Sequence, residues 1–136
     1  MANALYPLWK EALLSAAANS ELVAGTVKIA LVDTAVSTYS AAHQFFSSVS
    51  AAVIGTPQTL GTKTVSGGVF DAADPTFTAV SGASVEALVV YIDTGVAGTS
   101  RLVAYIDTGV TGLPVTPNGG NIALAFDSGA NKIFAV

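Results

Sequence analysis

The segment Leu88-Val89-Val90-Tyr91-Ile92-Asp93-Thr94-Gly95-Val96 recurs 14 residues later as Leu102-Val103-Ala104-Tyr105-Ile106-Asp107-Thr108-Gly109-Val110. A weaker copy, Ile29-Ala30-Leu31-Val32-Asp33-Thr34-Ala35-Val36, stands earlier in the chain. Each copy is a short apolar run rich in β-branched and aromatic residues, closed by Asp-Thr. Such runs suit strands. Asp and Thr side chains bond nearby backbone N–H groups and stop a strand, and glycine supplies positive φ. The offset is about one strand plus one loop. Two adjacent copies are too few for a solenoid, so the repeat predicts a local meander.

Run length also limits membrane insertion. The longest uninterrupted apolar stretch, Ala87 to Ile92, is far short of the ~20 residues a spanning helix needs. Apolar runs stop at Asp33, Asp93, Asp107 and Asp127. Lys10 and Glu11 interrupt the apolar part of the N-terminus and no positive region precedes it. It does not read as a signal peptide, and synthesis in the cytoplasm is expected.

Composition narrows the classes further. The chain has 136 residues, 51% hydrophobic and only 10% charged, against about 25% charged in an ordinary soluble domain. The length fits a single domain, residues 1–136, that can bury a core without metal or disulfide help. A folded monomer of this size exposes roughly 6,600 Å², so charge is thinly spread. Either the surface is neutral, or much of it is buried against partners. With no cysteine, disulfide frameworks, cysteine–zinc sites, iron–sulfur clusters and cysteine nucleophiles are excluded. Five basic against nine acidic residues argue against a nucleic-acid partner.

Residues 5–18 read as a helix. Pro7 suits a first turn, and Leu8, Trp9, Ala12, Leu13 and Ala16 follow a helical stripe. Val27 to Val32 is β-like. Ser40 could cap a second, shorter helix, Ala41 to Val49. Beyond Val53 the expected strands are Gln58–Val65, Val69–Phe70, Thr76–Val80, Val85–Ile92, Leu102–Ile106, Ile122–Phe126 and Lys132–Ala135. Turns at Ser66-Gly67-Gly68, Ser81-Gly82, Pro117-Asn118-Gly119-Gly120 and Asp127-Ser128-Gly129 separate them. The expected fold is mainly β: a single-domain antiparallel β-sandwich or jelly-roll-like barrel with an N-terminal α-helix and one short additional helix.

Motifs for chemistry are few. Hydrophobic-hydrophobic-Asp-Thr-Gly resembles the catalytic loop of aspartic peptidases, where two carboxylates share a proton. The resemblance breaks at Val96 and Val110, where that family usually has Ala or Ser. Few residues follow either triplet, and strand-ending turns are the simpler reading. His43 is the single histidine, and it suits a surface or interface position. Asp71 and Asp74, with Asp93 or Asp107, are possible oxygen ligands for a hard cation, but no EF-hand spacing occurs. Lys63 stands in no Walker pattern and no Gly-x-Ser-x-Gly is present. No catalytic residue, cofactor or metal is assigned.

Four stretches carry a family resemblance. They are Ala4 to Leu14; Leu31-Val32-Asp33-Thr34 with Tyr39 to Phe46; Gly68 to Asp74; and Ser100 to Gly120. Together they resemble small virion structural proteins of tailed bacteriophages, over most of the chain. The resemblance implies a non-enzymatic virion component, with a capsid decoration or cement role preferred. Its partners would be the major capsid protein or other virion proteins, with the chain itself in many symmetric copies or a homo-oligomer. The alternative is a tail, collar or fibre-associated protein, with Tyr91, Tyr105 and Phe126 near a glycan surface. The expected interface residues are Tyr6, Leu8, Trp9 and Leu13 on the helix, and His43, Phe45 and Phe46. Aromatic anchors are enriched at such interfaces.

Overall fold

A computed structural model describes residues 3–126, 129 and 132–136. Asp127 and Ser128 of the expected last turn lie outside the described residues. The three copies of the repeat become the three central strands of one sheet. The early copy forms β2 (Thr26–Val32), and the later two form β7 (Ala87–Asp93) and β8 (Arg101–Ile106). With β1 (Ala4–Leu5) and β3 (Val53–Thr59) they make an antiparallel sheet ordered β1-β8-β7-β2-β3. Between β3 and β7 come β4 (Thr64–Ser66), β5 (Val69–Asp71) and β6 (Thr76–Phe77). After β8 come β9 (Ile122–Ala123) and β10 (Phe134–Ala135). They form two smaller antiparallel sheets, β10-β5-β4 and β6-β9. The fold is thus mainly β, an antiparallel sandwich with one α-helix, α1 (Pro7–Leu14).

The central strands are buried on both faces. Lys28, Ala30 and Val32 lie opposite Tyr91, Val89 and Ala87, while Val27, Ile29 and Leu31 lie opposite Ile92, Val90 and Leu88. Alternate residues point to opposite faces, yet all of these except the half-buried Lys28 are buried. Phe46 covers the first face by stacking on Tyr91, ring centroids 4.0 Å apart at 14°. Trp9 meets Phe134 edge-on at 5.8 Å, and Phe134 stacks on Phe70 at 5.2 Å in the same core. The molecule exposes 6342 Å², close to the roughly 6,600 Å² of a compact monomer. The apolar surplus of the sequence is therefore absorbed inside one chain. Composition alone does not require burial against partners.

The expected helix over 5–18 is shorter at both ends. Leu5 pairs with Ala104 in the sheet, and the Tyr6 N–H donates to Val103 O at 2.9 Å. The C-terminal end closes in a Schellman-type turn: Ala17 N–H to Ala12 O at 2.9 Å, and Ala16 N–H to Leu13 O at 3.2 Å. That turn puts Ala16 at φ +52°, where glycine is the usual occupant.

The second helix, Ala41 to Val49, is not formed. Ser40 makes one turn, accepting from Ala42 N–H at its Oγ and from His43 N–H at its carbonyl. The chain is then captured by the start of β8: Leu102 N–H donates to Gln44 O and Phe46 N–H to Ser100 O. Only 3₁₀ turns at Phe46–Ser48 and Ser50–Ala52 remain. Pairing with β8 overrides local helical preference.

The expected strand Gln58–Val65 splits into β3 and β4, because Thr62 turns the chain at φ +52°. Ala79 at φ +51° ends β6 before Val80. Val85 and Ala125 lie outside the ladders and make isolated bridges, to Val115 and Thr111.

Ala16 supplies a stability test. Relief of left-handed strain by Ala16→Gly contributes about 1–2 kcal/mol, offset by about 0.4–1 kcal/mol of added unfolded-chain entropy. Urea denaturation should show a net gain of up to about 1.6 kcal/mol. A loss of stability would contradict the turn described.

Candidate interaction surface

The helix end leads into the segment 15–25, which has no ladder of its own. A backbone carbonyl shielded from water needs a donor, and here side chains from distant elements supply them. Trp9 Nε1 donates to Ser20 O at 3.0 Å and Arg101 Nε donates to Ala18 O at 2.9 Å. The Lys63 ammonium donates to Leu22 O at 2.8 Å and also to Gly25 O. Four carbonyls of one short segment are thus held from outside it. At Gly25 a Cβ would stand 2.6 Å from Glu21 O, so the backbone there approaches itself too closely for a side chain.

The end of α1 and this pinned segment each expose aliphatic side chains. Leu14 is 91% exposed, Val23 56% and Leu13 36%. Beside the segment runs an open groove of about 650 Å³ lined largely by small residues, Ala16 to Ala18 and Ala24 among them. Glu21 and Asp93 edge the groove. A preorganised apolar corner loses little conformational freedom on docking.

The expected interface residues divide. Tyr6 and Trp9, 0% and 1% exposed, belong to the chain's own core and cannot serve as surface anchors. The helix turns them inward because its N-terminus is tied to β8 and Trp9 is tied to Ser20. Burial raises the Tyr6 hydroxyl well above the ordinary tyrosine value, with Tyr105 and Tyr39 adding to it. Leu8 is half-buried, and Leu13 reaches solvent. His43, Phe45 and Phe46 are half-buried. Phe46 is spent on Tyr91, whereas Phe45 lies under the Arg101 guanidinium, 5.5 Å from its ring centroid. Arg101 therefore links Phe45 to the Ala18 carbonyl on the segment that follows α1. Leu14, Val23, Lys63 and Arg101 went unforeseen. The partners of the last two include backbone carbonyls, which no sequence pattern marks.

The Asp-Thr-Gly triplets act as strand-ending turns. Asp93 Oδ1 accepts from Gly95 N–H at 3.1 Å, as Asp33 Oδ1 accepts from Ala35 N–H at 2.9 Å. The Asn3 side chain receives the N–H groups of Asp107 and Thr108, at 2.7 and 2.9 Å. Because β7 and β8 are antiparallel, Asp93 and Asp107 sit at opposite ends of the pair, about 20 Å apart along a strand of that length. Within one chain they cannot share a proton, which needs carboxylates ~3 Å apart.

Asp107 lies instead with Glu86 and Thr34 around a second shallow pocket of about 430 Å³. Ser84 and Thr34 hydrogen bonds hold the Glu86 carboxyl below its usual range. Among the described residues no group of three His, Asp or Glu side chains is placed to hold a metal ion. Asp74 Oδ1 accepts from Phe126 N–H at 3.1 Å instead. Tyr91 and Tyr105 are buried, 3% and 2% exposed, and burial pushes the Tyr91 hydroxyl up to about 12. They offer no aromatic platform to a glycan.

Two measurements check this geometry. Lys63→Met removes a charged donor from two carbonyls, so unfolding free energy should fall by about 1.5–3 kcal/mol. Amide exchange should quicken first at residues 22–25. Asp93 is held below its ordinary 3.8 by Gly95 N–H first, then by Lys28, whose ammonium is 3.0 Å away, and by Ser100. A lowered folded value makes its contribution fully present above 3.8 and lost as pH falls through the folded value. Asp93→Asn should therefore flatten the acid limb of a stability–pH profile; an unchanged limb would count against the Gly95–Lys28 account. A scan against protein-family models found no match, and no curated protein matched the chain.

Proposed function

We propose that this chain is a non-enzymatic structural component of a tailed-bacteriophage particle, and within it a capsid decoration or cement protein. It would sit in many copies over joints between major capsid subunits. The observation that carries the reading is the exposed aliphatic set of Leu13 and Leu14 at the end of α1 and Val23 on the following segment, which is pinned at four carbonyls. The sequence resemblance to small virion proteins supplies the context. Fully covering one exposed Leu or Val contributes about 1.5–3 kcal/mol. A few such contacts per copy, repeated at each joint, stabilise the assembled shell because each bound copy favours it by mass action. The glycan surface of the tail-associated alternative loses two of its three side chains, because Tyr91 and Tyr105 are core residues, while Phe126 is half-buried.

Purified protein added to particles that lack it should bind and raise their thermal disruption temperature. The double variant Leu14→Asp, Val23→Asp should fold normally, since both positions face solvent, yet bind at least about tenfold more weakly, equivalent to ~1.4 kcal/mol. No binding and no shift by the unaltered protein would overturn the decoration role. Undiminished binding by the double variant would overturn the assignment of the corner.

A further inference from the structure

The small sheet ends in an edge whose chemistry is self-complementary. Phe134 of β10 lies opposite Phe70 of β5, and Phe70 lies opposite Val65 of β4. Residues in register across strands share a face, so Phe134, Phe70 and Val65 form one apolar row. The first two are buried, at 8% and 1% exposure, while Val65 at the edge is 53% exposed. A core-facing row is therefore left open at its last member.

The backbone at the same place is open too. Val136 N–H donates to Gly68 O at 2.8 Å and Ile133 N–H donates to Phe70 O at 3.2 Å. Antiparallel ladders alternate direction residue by residue. Phe70 thus turns its polar groups toward β10, and Val65, opposite it, turns its own N–H and C=O away from β5. Among the described residues no strand pairs with that outer side of β4.

The other edges of the sandwich are interrupted. Along β3, Gly55 at φ +73°, the register shift opposite Ile29 and Leu31, and Pro57 break the ladder. Strand β1 is only two residues long. Strand β4 is short as well, at three residues, but no positive-φ glycine, register shift or proline interrupts it, and Thr64-Val65-Ser66 carries no charge. The adjacent lysine, a common edge guard, has its ammonium turned inward onto Leu22 O and Gly25 O.

We propose that β4 is a two-fold contact between copies of this chain, centred on Val65. A two-fold axis perpendicular to the sheet, beside Val65 on the open side of β4, sets Val65 opposite Val65 of a second copy and Thr64 opposite its Ser66. The two Val65 residues then exchange both N–H···O bonds as a hydrogen-bonded pair. The two apolar rows join into one that runs from Phe134 to Phe134 of the second copy. No like charges meet, and the Thr–Ser pairs can exchange hydroxyl bonds. A three-residue strand pair covers far less than the ~1,200 Å² of a stable interface. The contact is therefore transient in dilute solution and consolidates where copies are concentrated on a shared surface. It does not depend on that surface being a capsid.

Cysteine trapping tests the contact, because the chain has no cysteine of its own. In a hydrogen-bonded pair the two Cα atoms stand about 5.5 Å apart, inside the disulfide range of about 4.4–6.8 Å. Under mild oxidation Val65→Cys should form a covalent dimer at least about tenfold faster than Val36→Cys or Val96→Cys, the enhancement that a raised local concentration gives. Both control positions are 60% exposed, so chance collision is matched. Ser66→Cys should be slower than Val65→Cys, since the two-fold places it opposite Thr64 of the second copy. Equal rates at 65, 36 and 96 would overturn the contact, and a faster rate at 66 than at 65 would overturn its register.

Discussion

Burial of one sheet on both faces governs this molecule. Antiparallel sheets commonly leave one face to solvent and show alternating polarity. Here β2, β7 and β8 are apolar at almost every position. Such strands are stable only between two covers. One face is met by Phe46 on Tyr91. Trp9, Phe70, Phe134 and the short sheets complete the same core cluster. A small chain with 51% hydrophobic residues can thereby remain a closed unit. The 6342 Å² surface is the result, and the sparse charge is what remains to decorate it.

The consequence reaches the charged residues as well. Of five basic residues, Lys28 is paired with Asp93, Lys63 holds two carbonyls and Arg101 holds a carbonyl while covering Phe45. These cations satisfy groups that the ladders leave open. Lys63 and Arg101 do so at the segment 15–25, where backbone polar groups have no partner strand.

The legible part of the sequence was the part whose physics is local. The repeat announced β7 and β8 with boundaries right to a residue or two, and Asp-Thr-Gly announced the turn after β7. Pro7 marked the first turn of α1. What escaped reading was decided by distant pairing. Nothing near Gln44 or Phe46 tells that β8 will claim their backbone in place of a helix. Nothing near Tyr6 tells that the N-terminus will be tied to Val103 O and the ring turned inward. The interface residues chosen for aromatic character were those the core needed most. The exposed corner fell to Leu14 and Val23, whose neighbours in sequence look no different. Lys63 left no trace because its partners are carbonyls.

The pinned segment also makes one surface depend on distant parts of the fold. Three of its four carbonyls are held by Lys63, 41 and 38 residues away, and by Arg101, 83 residues away; the fourth is held by Trp9, 11 residues away. Contacts of such separation carry a loop-closure cost that local ones do not. Damage at the start of β8 is therefore felt at residues 15–25, although the two lie far apart in sequence.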